Sequence, residues 1–129
     1  MRFDLYSTAL GKAILAFLDD EEINNYLSQI ELIPYTPNTI VDPAALLEEL
    51  KLTRKRKYSI DNEEHRMGLR ALGLPIFNYT NKPIGSISAL LFYNADEQEI
   101  DRIFKAMYSA SKKISVQLGS SKFENFFME

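Results

Sequence analysis

The chain has 129 residues, 46% of them hydrophobic and 26% charged, with a formal net charge of −3 and no cysteine. That balance belongs to one folded domain large enough for a real core, not to a disordered segment. The acidic total argues against a surface built for the phosphate backbone of nucleic acid. The missing cysteines remove disulfide and thiol chemistry, and no apolar run approaches the roughly 20 residues that span a bilayer.

The N-terminus, Met1-Arg2-Phe3-Asp4, lacks a signal-peptide core, so nothing addresses the chain for export and a cytoplasmic location is expected. Residues 3 to 6 suit the end of a strand. Ser7-Thr8 then reads as the N-cap of a helix running to Leu18, with Leu10, Ile14, Phe17 and Leu18 on one stripe at helical spacing. Gly11 lowers helix propensity there and suggests close approach of another backbone. The amides of that first turn, at the positive end of the helix dipole, suit a carboxylate or phosphate; the plainer alternative is that Ser7 or Thr8 satisfies them.

Asp19-Asp20-Glu21-Glu22 caps and charges a second helix over about Glu21 to Gln29, with Ile23, Tyr26, Leu27 and Ile30 inward. Pro34, Pro37 and Asn38 make the following stretch a loop. Asp42-Pro43 is a cap followed by Pro at N1, starting a helix to about Arg56 with Leu46, Leu47, Leu50 and Leu52 as core positions. Its end carries Lys51, Arg54, Lys55, Arg56 and Lys57. Cations complementing the dipole on a solvated face explain that cluster better than nucleic-acid contact, because no aromatics interleave it.

Two apolar runs, Leu69 to Phe77 and Ile84 to Phe92, flank the turn-forming Asn78-Tyr79-Thr80-Asn81-Lys82-Pro83 and read as a β-hairpin. Ser86 and Ser88, two apart, share one face of the second strand. Just upstream, Asp61-Asn62-Glu63-Glu64-His65 gathers three carboxylates and the single histidine. The hairpin and this acidic approach suit the floor and lip of a small-molecule pocket. Asn94-Ala95-Asp96 caps the longest helix, roughly Glu97 to Leu118, with Ile100, Ile103, Phe104, Met107, Ser111, Ile114 and Leu118 on one stripe and Gly119 as the stop. The tail carries Phe123, Phe126 and Phe127, which would pack on the domain or on a neighbouring subunit.

Strand end, helices, hairpin and long helix make an α+β domain with an antiparallel sheet and flanking helices. Two or three strands leave a sheet face and an edge for something else to cover. No catalytic constellation is evident: there is no GxSxG and no P-loop, and Gly11-Lys12 lacks a glycine-rich lead. His65 with Asp61, Glu63 and Glu64 could ligate a metal, but residues this close in sequence seldom converge on one ion. Neither a metal, a cofactor nor an enzymatic activity is expected.

Two blocks carry a resemblance. LYSTALGKAILA at Leu5 to Ala16 and KYSIDNEEHRMGLRALGLPIFNYTNKPIGSISA at Lys57 to Ala89, with the spacer YTPNTIVDPAALLEEL and the basic KLTRKRKYSID, resemble the C-terminal effector-binding domain of IclR-family transcriptional regulators. The resemblance covers roughly residues 2 to 118. It implies a GAF-like, profilin-like domain over residues 1–129 whose opening strands, along with the family's winged helix-turn-helix and linker helix, are missing from this sequence. It further implies a small carboxylate effector, a homo-oligomer (dimer or tetramer), and DNA contact only through the absent domain. In the family an acid sits with its carboxylate on amides opening the GKA helix, which correspond to Ala9 and Leu10. Asp61 matches a ligand-hydroxyl acceptor and Ser88 the first serine of a pair, whose second position is Leu90. Ala71 stands where many relatives carry cysteine, and Leu69 and Phe3 match apolar lining positions. These residues imply a less polar pocket, suited to a larger or more apolar acid than glyoxylate or pyruvate. The alternatives are that Ser88 fills a tight sheet position and Asp61 caps a turn, or that the domain serves oligomerisation without a ligand.

Overall fold

The computed structural model describes residues 5–124. Four helices and three strands follow in the order α1 (Ala9–Leu15), α2 (Asp20–Gln29), α3 (Pro43–Arg56), β1 (Ser59–Asn62), β2 (Arg70–Phe77), β3 (Pro83–Leu91) and α4 (Glu97–Gln117), with a short 3-10 turn at Lys122–Glu124. The strands form one antiparallel sheet in the order β1-β2-β3. The fold is therefore the expected α+β type, and the hairpin stands where the sequence puts it.

Alternation sorts the sheet into two faces. Leu72, Leu74, Ile87, Ala89 and Leu91 pack with Met107, Ile103 and Phe104 of α4. The opposite face carries the register rows Asp61–Ala71–Leu90, Ser59–Gly73–Ser88 and Pro75–Ser86, and α1 lies on it. Outside α1 a second cluster of Tyr6, Leu15, Ala16, Ile23, Leu46 and Leu50 ties in α2 and α3.

The helix starts follow their caps. Thr8 Oγ1 accepts from the Gly11 amide, Asp19 from the Glu22 amide and Asp96 from the Glu99 amide; Asp42 makes no side-chain cap, leaving Pro43 at the first turn to start α3. Gly119 ends α4 with φ 88°. Its amide bonds Val116 O and the Ser120 amide bonds Ser115 O, a Schellman closure.

Several sequence expectations are corrected. Leu5 and Tyr6 form a turn rather than a strand end. α1 stops at Leu15 and buries Ala9, Gly11, Lys12, Ala13 and Leu15, whereas the stripe of Leu10, Ile14, Phe17 and Leu18 is half-buried or exposed. Small residues win the inner face because α1 packs directly on backbone: a Cβ on Gly11 would collide with the Leu5 main chain. Leu52 is exposed and Thr53 takes the buried position, its hydroxyl donating to Glu49 O. In α4 the inner stripe continues through Ser111 and Ser115, leaving Ile114 and Leu118 exposed. Ser111 Oγ donates to Pro75 O at 2.6 Å and Ser115 Oγ accepts the Phe77 amide at 3.0 Å. Phe123 docks against Phe77 and Tyr108; Phe126 and Phe127 lie outside the described residues.

Candidate functional site

The first turn of α1 is clamped to the sheet by two serines. Ser59 Oγ donates to Ala9 O at 2.6 Å and Ser86 Oγ donates to Leu10 O at 2.8 Å. Gly73 makes this approach possible, since a Cβ there would stand 2.5 Å from Ala9 O. From the Gly73 row the chain continues along the sheet until Phe17 meets Phe77, ring centroids 5.7 Å apart. The N-terminus of α1 is thus directed at the next row out, Asp61–Ala71–Leu90. Gly11 and Lys12 amides are taken by Thr8; the amides of Ala9 and Leu10 find no acceptor among the described residues.

The residues singled out by sequence fall around that helix start, in different environments. Ala9, Asp61 and Ala71 are buried, whereas Leu10, Leu69, Ser88 and Leu90 are exposed. Ser88 is the Gly73 partner, one row from Leu90 and level with the Ala9 contact. Leu69 immediately precedes β2. Phe3 lies outside the described residues. Asp61 caps a turn, the alternative role: its Oδ1 accepts the Glu64 amide at 2.8 Å. Burial pushes its carboxyl above the ordinary range, against the lowering effect of that hydrogen bond and of Lys12.

Three features escaped sequence reading. The acidic EEH segment turns inward at Glu64, while His65 stays exposed. Glu64 is buried and its Oε1 accepts Lys12 Nζ at 2.7 Å, while Oε2 accepts the Asn62 amide at 2.9 Å. Lys12, fully buried, also donates to Ile60 O and stands 3.9 Å from Glu49. Burial raises the Glu64 carboxyl, with Lys12 opposing. Thr36 and Thr39 hold the same segment through Glu63 O and Glu64 O, and Ser7 Oγ lies 3.0 Å from His65 Nδ1. Second, the basic end of α3 is structural: Arg54 donates to Ala16 O and Leu18 O, and Arg56 to Tyr58 O and Glu49. Third, β1 is the outer strand beside β2, and its Ser59 lies under α1. Its polar, four-residue SIDN segment gave no alternation to read.

Among the described residues no cluster of His, Asp and Glu is arranged to hold a metal ion, and no helix is long and apolar enough to cross a membrane. A cleft of about 300 Å³ lies away from this site, at the far end of α1, between Asp19, Glu22, Arg54, Lys82 and Lys122.

Residues 1–116 match the family described as the bacterial transcriptional regulator IclR C-terminal domain. The chain belongs to this family. It is 34% identical over 119 residues to the HTH-type transcriptional regulator KdgR of Escherichia coli, covering 92% of this chain and 45% of that protein. The solved C-terminal domain of E. coli KdgR superposes with a TM-score of 0.86 at 34% identity, over 90% of this chain and 71% of that one. The Thermotoga maritima IclR structure also gives 0.86, at 42% identity over 93% and 49%. The inducer-binding domain of PobR from Acinetobacter, solved as a double mutant with 3-hydroxybenzoic acid, gives 0.79 at 25% identity over 88% and 66%. The chain spans under half the length of the KdgR protein it matches. These relatives are transcriptional regulators, and the domain is a regulator's rather than an enzyme's.

Proposed function

We propose that this domain senses a small carboxylate-containing metabolite and thereby modulates DNA binding by a separate winged helix-turn-helix domain, in a cytoplasmic homo-oligomer. The observation that carries the reading is the start of α1. Ala9 opens that helix over the Ser59–Gly73–Ser88 row, next to the Asp61–Ala71–Leu90 row, which supports an acid seated there on the Ala9 and Leu10 amides. Two amides at the positive end of a helix, with no acceptor among the described residues, favour a carboxylate. Ala71, Leu69 and Leu90 supply apolar lining, and the Asp61 oxygen not used by the Glu64 amide accepts a hydroxyl from the ligand. The PobR inducer domain, whose ligand is an aromatic hydroxy acid, supports an effector of that size class. Binding alters DNA affinity only insofar as the ligand prefers one of two subunit arrangements.

A thermal-shift screen of aliphatic oxo acids and aromatic hydroxy acids tests this. An acid is expected to raise Tm, with the aromatic acids ahead of pyruvate. Ala9→Pro removes one amide at a helix position that accepts proline, and it is expected to weaken binding by about tenfold, the share of one charge-assisted hydrogen bond. Asp61→Asn and Ser88→Leu are expected to weaken binding of hydroxy acids. If an acid binds and all three variants bind it as the parent does, the site is elsewhere.

A further inference from the structure

Between α2 and α3, Thr36 and Thr39 are buried although they stand in an irregular loop. Each hydroxyl oxygen already accepts an amide of that loop: Thr36 Oγ1 takes the Asn38 amide at 3.0 Å and Thr39 Oγ1 the Thr36 amide at 3.0 Å. The hydroxyl protons therefore serve partners outside the loop, and both go to the turn that follows β1. Thr36 donates to Glu63 O at 2.6 Å and Thr39 to Glu64 O.

What lies on the far side of those two carbonyls decides their role. In a trans peptide the C=O and the N–H of the next residue point in opposite directions. The Glu63 carbonyl shares its plane with the Glu64 amide, which donates to Asp61 Oδ1 at 2.8 Å. The Glu64 carbonyl shares its plane with the His65 amide, which bonds the same carboxyl. Two rigid peptides thus reach from the threonines to the aspartate. The turn needs such a brace, because Glu63 stands at φ 57°, a left-handed conformation that a residue other than glycine keeps only where its surroundings impose it. The charges that face Asp61, on Lys12, Glu64 and His65, act through space; the two amides are what fix the direction of its oxygens.

We infer that Thr36 and Thr39 are positioning residues of the effector site: holding the carbonyl ends of two peptides, they aim the amide ends at Asp61 and so set its carboxylate to accept a hydroxyl from the ligand. The inference rests on the proposed effector site and adds the selection of hydroxylated acids over plain ones. Titration calorimetry with acids that differ by one hydroxyl, 3-hydroxybenzoate against benzoate and lactate against propionate, reads it. The parent is expected to prefer the hydroxylated member of a pair. Thr39→Val keeps the shape and removes the donor; it is expected to cut that preference about tenfold while the affinity for the plain acid changes by less than about twofold. Thr39→Ser, which keeps the hydroxyl, is expected to restore the preference. In an Asp61→Asn background Thr39→Val is expected to change it no further, since both act on one contact. Thr36→Val makes the same test through the neighbouring peptide where Thr39→Val does not fold. Carbon NMR of the Asp61 carboxyl needs no ligand, and its titration midpoint is expected to rise in either valine variant as the amides lose their aim. An acid bound without regard to its hydroxyl, equal weakening of both members of a pair, or an unchanged midpoint overturns the positioning role while leaving the effector site. If no acid binds the parent, in these pairs or in the wider screen, the effector site falls and this inference with it.

Discussion

At the scale of single residues, the fully buried Lys12 is the most consequential side chain outside the effector site. Its ammonium meets Glu64, Ile60 O and, more distantly, Glu49. Lys12→Met leaves Glu64 buried without its cation, and breaking such a pair from one side costs about 3–5 kcal/mol. Urea denaturation measures the loss, and Lys12→Met combined with Glu64→Gln is expected to retain more stability than Lys12→Met alone. Equal losses in the two proteins would mean that the pair contributes only shape. None of this was legible in the chain. A stripe drawn through the largest apolar residues of the first helix sets Lys12 outside, and its partner lies 52 residues away in an acidic run that reads as the lip of a pocket. Asp61 was half legible: a turn cap is local chemistry, whereas its burial depends on α1.

At the scale of elements, α1 and the sheet are held at backbone distance by glycine. Gly73→Ala sets a Cβ 2.5 Å from Ala9 O and is expected to destabilise by about 1–3 kcal/mol through overpacking, with a parallel loss of effector affinity as the helix start lifts. Gly85→Ala, with no heavy atom within 4 Å of the added carbon, is the control and is expected to leave the urea midpoint nearly unchanged. A Gly73→Ala protein as stable as that control would mean α1 shifts freely. Periodicity explains what was readable here. The hairpin and α4 repeat their apolar positions over eight residues or more, so their existence and type were plain. β1 is too short and too polar to show a period, and in α1 the glycine-driven contact inverted the buried face.

At the scale of the whole molecule, buried carboxyls set the response to pH. Burial raises Asp61 above its ordinary 3.8 and Glu64 above its ordinary 4.5. Between those ordinary values and the raised ones the folded chain binds more protons than the unfolded chain. Stability therefore falls as pH rises through that window and is greater on its acid side. Asp19 works oppositely: the Glu22 amide holds its carboxyl below the ordinary value, and that contribution disappears in stronger acid. Urea midpoints taken stepwise from neutral pH are expected to climb on acidification towards the ordinary Glu value, and Asp61→Asn to flatten the climb. The same slope in parent and variant would remove Asp61 from the account.

The seven residues of α1 are fastened at three levels: serines from two strands at the front, the Lys12 pair amidships, and Arg54 gripping the carbonyls that follow its end. A segment so held does not tilt alone. Any molecule that nudges its leading edge by a fraction of an ångström pulls on the Glu64 bend, which is hydrogen-bonded to the end of β1, and on α3 together.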